Sequence, residues 1–291
     1  MRQCRRPSAG FTVIELLVAS VIVLIMLGIF VPYLLSVREQ SHRTDCVDNL
    51  RQVVNGLWDY AKISNQDFPR VIYDPAVMPD GYVAFTGVND GDPFKPATDP
   101  SQDVRPSDAS ASLFLLIRLN LVKPKAFICP SRSDVPDTVV DSFKRGHFTS
   151  GQNLSYSYAM PFSSSPEYKF NRDRLKAEFV LLADKNPGKS DDSNPSEPSR
   201  DAKPLEIARA NSFNHRRAGQ NVVYVTGSIE FQVTPYCGYK NDNIYTAQSI
   251  APTSQPVGLT ADMNGLLSDK IGPARPDDSY LVPTASEGIA P

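Results

Sequence analysis

Two places in this chain hold residues of types that could do chemistry. Glu15 is the lone ionisable side chain in the apolar run 11–31. A carboxylate inside a membrane helix costs up to about 2.5–3.5 kcal/mol at mid-depth and less near an end, so its presence suggests a task. Asp184, Ser212 and His215 are the residue types of a hydrolytic proton relay. No Gly-x-Ser-x-Gly turn accompanies them, and three common residues are weak support for hydrolysis. As a metal ligand, His215 lacks a partner at ligand spacing, because the other histidines are His42 and His147. The simpler expectation is that Asp184, Asn186, Asn214, His215 and Asn221 hydrogen-bond the backbone of irregular loops, as buried loops require.

The elements that must position these residues begin with the apolar run. Residues 11–31, as a helix rising about 1.5 Å per residue, reach roughly 30 Å, one hydrocarbon thickness. Arg2, Arg5 and Arg6 precede it without an acidic residue, which predicts a cytoplasmic leader and an outer C-terminal side. An ordinary secretory signal fits poorly, since its small residues follow a core of about 7–15 residues. Here Ala9 and Gly10 come first. Past Pro32, near Gly28, the chain should kink or leave the membrane. A stripe then resumes at Val47, Leu50, Val53, Val54, Leu57, Trp58 and Ala61, at spacings of three and four. The expected organisation is 1–10 leader, 11–35 membrane helix, 36–63 amphipathic stem, 64–249 globular head and 250–291 a disordered or surface-draped tail.

Within the head, Pro-, Gly- and Asp-rich stretches at 67–108 and 188–204 predict irregular loops. Ser107 or Asp108 should cap a helix to about 121, with Leu113, Leu116 and Ile117 inward. Strands are expected at 126–129, 154–160 and 178–184. A hairpin over 221–225 and 228–233 should turn on the two residues Thr226-Gly227. The class is α+β: one long helix packed on an antiparallel sheet, with long irregular loops.

Two resemblances follow from these residues. Gly10-Phe11-Thr12-Val13-Ile14-Glu15-Leu16, ahead of a long apolar helix, resembles the signal of type IV pilins and type II secretion pseudopilins. That resemblance implies cleavage between Gly10 and Phe11 by a prepilin peptidase and N-methylation of Phe11. It also implies neutralisation of a neighbour's Phe11 amine by Glu15. In the head, Cys129-Pro130-Ser131, Ser155-Tyr156-Ser157-Tyr158, Ala183-Asp184-Lys185-Asn186-Pro187 and Asn214-His215 with Gly219-Gln220-Asn221-Val222-Val223-Tyr224 are similar to a bacterial pilin-like family. That family ends in His, nine residues, Asp-Gly. Here ten residues separate His215 from Thr226-Gly227, so spacing and Asp both depart, while Gly227 still supplies a permissive backbone.

Major pseudopilins bind calcium near the C-terminus, and Asn241-Asp242-Asn243 offers oxygen ligands, though such clusters are usually turns. Beyond that calcium, no cofactor is expected. With Cys4 in the leader and Cys46 on the stem, Cys129 and Cys237 could pair in an oxidising compartment or stay buried thiols. The whole chain carries charge −2; removing the three leader arginines leaves −5. No basic run interleaved with aromatics follows, so nucleic acid is not an expected partner. The expected role is a structural, non-enzymatic subunit of a pilus or secretion pseudopilus, anchored once in the bacterial inner membrane, its head periplasmic or extracellular. Its partners would be copies of itself, other pilin-like subunits, the peptidase and an inner-membrane assembly platform. The rival is a membrane-anchored binding module that forms no filament, for which the long loops offer surface and Glu15 offers no reason.

Overall fold

The computed structural model describes residues 12–73, 84–85, 92–95, 104–138, 145–163, 165, 167–188, 203–246, 273 and 276–283. The chain divides into two compact units, Met1–Ser41 and His42–Pro291. Helix α1, Val13–Ile63, begins in the first and ends in the second. In the first unit every described residue from 12 to 38 is exposed, including Ile14, Leu17, Ile22, Leu24, Ile29 and Phe30. α1 runs without interruption through Pro32, so the membrane-side helix and the stem expected at 36–63 are one element. Proline removes one i→i−4 bond, and the turns on either side keep theirs.

The second unit buries one stripe of α1: Cys46, Leu50, Val53, Val54, Leu57, Tyr60 and Ala61. These join α2, Ala109–Arg118, in a single core with the sheet. Gly56 permits close approach, because a Cβ there would collide with the Val122 side chain beside Leu116. Asp108 caps α2, accepting from the Ala111 N–H at 2.8 Å. The helix is shorter than expected and buried on every side from Ala109 to Ile117 rather than amphipathic.

The sheet is antiparallel, with strands β1 Tyr156–Ala159, β2 Val180–Asp184, β3 Gln220–Tyr224, β4 Ile229–Gln232 and β5 Leu281–Val282. Their order is β4-β3-β2-β1-β5. Central β2 is buried at all five positions, which is why it reads as a continuous apolar run. A long helix on an antiparallel sheet is thus the observed α+β architecture.

Three expectations are corrected. The segment expected as a strand at 126–129 is instead led by a 3-10 turn, Pro124–Phe127. Pro124 at its first position favours a helical start, and Pro130 has no N–H for a ladder. The hairpin loop holds three residues, not two: Tyr224 donates to the Ser228 carbonyl at 3.0 Å and Gly227 to the Tyr224 carbonyl at 2.8 Å. Gly227 at φ 87° supplies the left-handed residue that closes such a loop, and it lies on Trp58. The tail is not merely draped over the surface, because Tyr280, Leu281 and Val282 are fully buried and β5 pairs with β1. Of the loops, 189–202 and much of 74–103 lie outside the described residues, as do 247–272 and 284–291.

Candidate functional site

The start of α1 holds the first candidate. Glu15 Oε2 accepts from the Thr12 N–H and the Thr12 hydroxyl, each at 2.8 Å, and the Glu15 N–H reaches Thr12 Oγ1 at 3.3 Å. This reciprocal capping box, legible as Thr-x-x-Glu, satisfies helix-end donors that would otherwise be orphaned. Among the described residues, α1 is the helix long and apolar enough to cross a membrane. Gly10 and Phe11 lie outside the described residues.

The second candidate lies at the end of β2, where Asp184, Asn214, His215 and Asn221 meet, all fully buried. Asp184 ends β2, Asn221 sits one residue into neighbouring β3, and the chain entering β3 carries the other two. Asp184 Oδ1 accepts from Asn214 Nδ2 at 2.9 Å, and Oδ2 accepts from the Asn221 N–H at 2.6 Å. Burial pushes the Asp184 carboxyl above its ordinary range, opposed first by His215 and then by the Asn221 and Asn214 donors. His215 Nε2 lies 3.4 Å from Asp184 Oδ2 and 3.0 Å from Asn221 Nδ2. Its other nitrogen, Nδ1, lies 3.0 Å from Ser131 Oγ.

An unusual backbone presents the ring. His215, Arg216 and Arg217 all have positive φ, 53°, 57° and 62°, a conformation side-chain-bearing residues adopt at a cost of about 1–2 kcal/mol each. Gly219 follows at φ 153°, where a Cβ would run into the Phe231 ring and the Gln232 carbonyl. Phe231 meets His215 edge to face, with ring centres 6.0 Å apart, and Arg43 stacks 4.1 Å above Phe231.

Two possibilities that the sequence left open are not what the structure forms. Ser212 donates to the Lys185 carbonyl at 2.6 Å and forms no relay with His215; Ser131 occupies that position. Cys129 pairs with Cys46 of α1, across 83 residues of sequence, while Cys237 is a free thiol that donates to the Pro235 carbonyl. Placing Cys46 on the stem had seemed to exclude it from the head, yet its position is the first of the buried stripe. The ligating atoms of Cys46, Cys129, Asp184 and His215 lie within 4.8 Å of one another. No sequence spacing announces this set, because its members come from four separate segments.

The remaining sequence candidates are structural in their contacts. Thr226, where the pilin-like pattern has Asp, faces Ser228 at 3.1 Å between hydroxyls. Asn241, Asp242 and Asn243 build a tight turn in which Asp242 O accepts from Gly238 and Asn243 Oδ1 accepts from Tyr245, each at 3.0 Å.

Residues 5–31 match the family model described as Prokaryotic N-terminal methylation motif. The chain carries a prokaryotic N-terminal methylation motif. The match takes in the end of the basic leader, Gly10-Phe11, Glu15 and the exposed apolar half of α1. No curated protein and no solved structure matches the chain.

Proposed function

We propose that the chain is a prepilin-type structural subunit. It is cut between Gly10 and Phe11, N-methylated at Phe11, anchored once in the bacterial inner membrane and assembled through α1 into a pilus- or pseudopilus-like filament. The observation that carries this reading is the methylation motif running directly into a helix that exposes its apolar side chains from residue 13 on. Such a surface needs lipid or other helices around it. In the isolated chain Glu15 caps its own helix through Thr12. In an assembly the same carboxylate would turn to the Phe11 amine of a neighbour, where opposite charges in low dielectric attract strongly and either alone is penalised. Partners on this reading are further copies, other pilin-like subunits, the peptidase and an inner-membrane platform, with the head on the outer side.

Glu15→Val tests the role. The variant should remain in membranes and be processed, yet be absent from sheared surface filaments or cross-linked oligomers. Incorporation at the normal level would refute the neutralisation step. Calcium at the Asn241–Asn243 turn is a separate proposal, supported by oxygen-bearing side chains alone.

A second reading, an anchored binding module, is favoured by a cleft of about 440 Å³ in which Arg70, Lys169 and Arg174 outnumber the one carboxylate, Asp67, beside Tyr168, Phe170 and Asn171. Cations beside aromatic faces suit an acidic sugar or peptide. A protein that stays in the membrane and retains an acidic glycan, which an equally abundant and equally anchored Arg70→Ala/Arg174→Ala variant no longer retains, would favour it.

A further inference from the structure

We propose that Cys46, Cys129, Asp184 and His215 form a redox-gated site for a thiophilic divalent cation of the zinc class, closed while Cys46–Cys129 is a disulfide and opened by a dithiol reductant. The site stands on its own geometry and is independent of filament assembly.

Two of the separations already fit a tetrahedral ion, and the rest lie within 4.8 Å. Metal–ligand bonds of about 2.0–2.3 Å place neighbouring ligand atoms about 3.3–3.8 Å apart. His215 Nε2 already lies 3.4 Å from Asp184 Oδ2 and 3.7 Å from Cys129 Sγ. The disulfide holds the two sulfurs at bonding distance, and cleaving it lets them part to the span that an ion requires. Two thiolates, an imidazole and a carboxylate are a ligand set that zinc accepts.

The surroundings orient these groups for ligation. Asn221 Nδ2 donates toward His215 Nε2, so that nitrogen is the unprotonated one and lies 3.7 Å from Cys129 Sγ, while Ser131 Oγ is placed to accept from Nδ1–H. A bound ion would take the lone pair that Asn221 Nδ2 now meets, and the Asn221 N–H would keep its bond to Asp184 Oδ2. Asn214 Nδ2 bridges Asp184 Oδ1 and the Ser155 carbonyl at 2.9 and 3.0 Å, which fixes the carboxylate. Outer partners of this kind commonly set metal affinity.

Charge balances as well. With the disulfide closed and Asp184 ionised, the buried site holds one negative charge. A dication with two thiolates, one carboxylate and a neutral imidazole also holds one. In the opening step the reductant's dithiol gives two electrons and two protons, the Cys46–Cys129 bond breaks to two thiols, and the reductant becomes a disulfide. Each thiol then releases its proton to solvent as it binds the ion.

The test uses the full chain in detergent micelles, reduced with a phosphine, desalted without oxygen and titrated with Co(II). The expected result is one cobalt per chain, with thiolate-to-metal charge-transfer absorption and the strong visible bands of a tetrahedral ion. The oxidised chain should show neither. Cys129→Ser and His215→Asn should abolish the signature, and Asn214→Ala should weaken binding by about 10–100-fold. If reduction unfolds the head, recovery of the native circular dichroism on adding cobalt supports the site. Three results would overturn it: a folded dithiol form that takes up no cobalt, uptake unchanged in Cys129→Ser or in the oxidised chain, or unfolding that cobalt does not reverse.

Discussion

Asp184 and His147 are both buried titratable groups, and their environments give them opposite pH signatures. Asp184 is satisfied by three donors from Asn214 and Asn221, yet burial still raises its carboxyl. The folded state therefore binds its proton more readily than the unfolded chain, so acidification relieves a cost at this position. His147 is 1% exposed, with Nδ1 against the Phe148 carbonyl and Phe85 at its edge. Burial holds it below its ordinary value of 6.5, an effect that Asp108 opposes and Arg145 reinforces. The folded state keeps His147 neutral while the unfolded chain protonates. Its contribution is therefore complete above pH 6.5 and is lost as pH falls below that value toward the depressed folded pKa. Urea midpoints at pH 7.5 and 5.5 check this: the wild type should lose more stability on acidification than His147→Gln. Asp184 is present in both proteins, so the difference isolates the histidine, and equal losses would contradict the assignment.

At the scale of elements, the Cys46–Cys129 bridge ties the buried half of α1 to the segment after the Pro124–Phe127 turn. A loop of 83 residues' separation gives about 4.5 kcal/mol by the chain-entropy argument, and measured bridges more often give about 2–4 kcal/mol. Cys46→Ser/Cys129→Ser should lose stability in that range in denaturant titration, and added reductant should leave the variant unchanged while weakening the wild type. A wild type indifferent to reductant would contradict the bridge's contribution. Much of this architecture was legible in the sequence. The three- and four-residue spacing of Leu50, Val53, Val54 and Leu57 marked the buried stripe, and apolar runs marked β2 and β3. Asp184, Asn186, Asn214, His215 and Asn221 were legible only as polar residues that must find buried partners on loop backbone; Asn186 and Asn214 do reach backbone carbonyls, but the bonding of Asp184 to Asn214 and of Asn221 to His215 is not written in local sequence. The features that local sequence does not carry are long-range or brief. Nothing local pairs Cys46 with Cys129 or seats Ser131 on His215. The two-residue strand Leu281–Val282 is too short to alternate. The hairpin loop was misjudged by one residue, because Gly227 serves either turn and the Tyr224–Ser228 closure is a matter of register.

For the whole molecule, two surfaces of opposite character share one chain. Residues 12–38 expose apolar side chains along a helix, whereas the described residues of the unit His42–Pro291 share one core that includes the stem's own stripe. A chain built this way has one end whose apolar surface calls for lipid or neighbouring helices and another that carries a core of its own, which is consistent with a membrane-anchored protein. The methylation motif at 5–31 connects that anchor to a processing event, and the event leaves a covalent mark. Intact mass and N-terminal sequencing of the protein from isolated membranes and from sheared surface material read that mark directly. The account predicts a chain that starts at N-methylated Phe11 and is found in both fractions. A chain that retains Met1 and never leaves the membrane would contradict it.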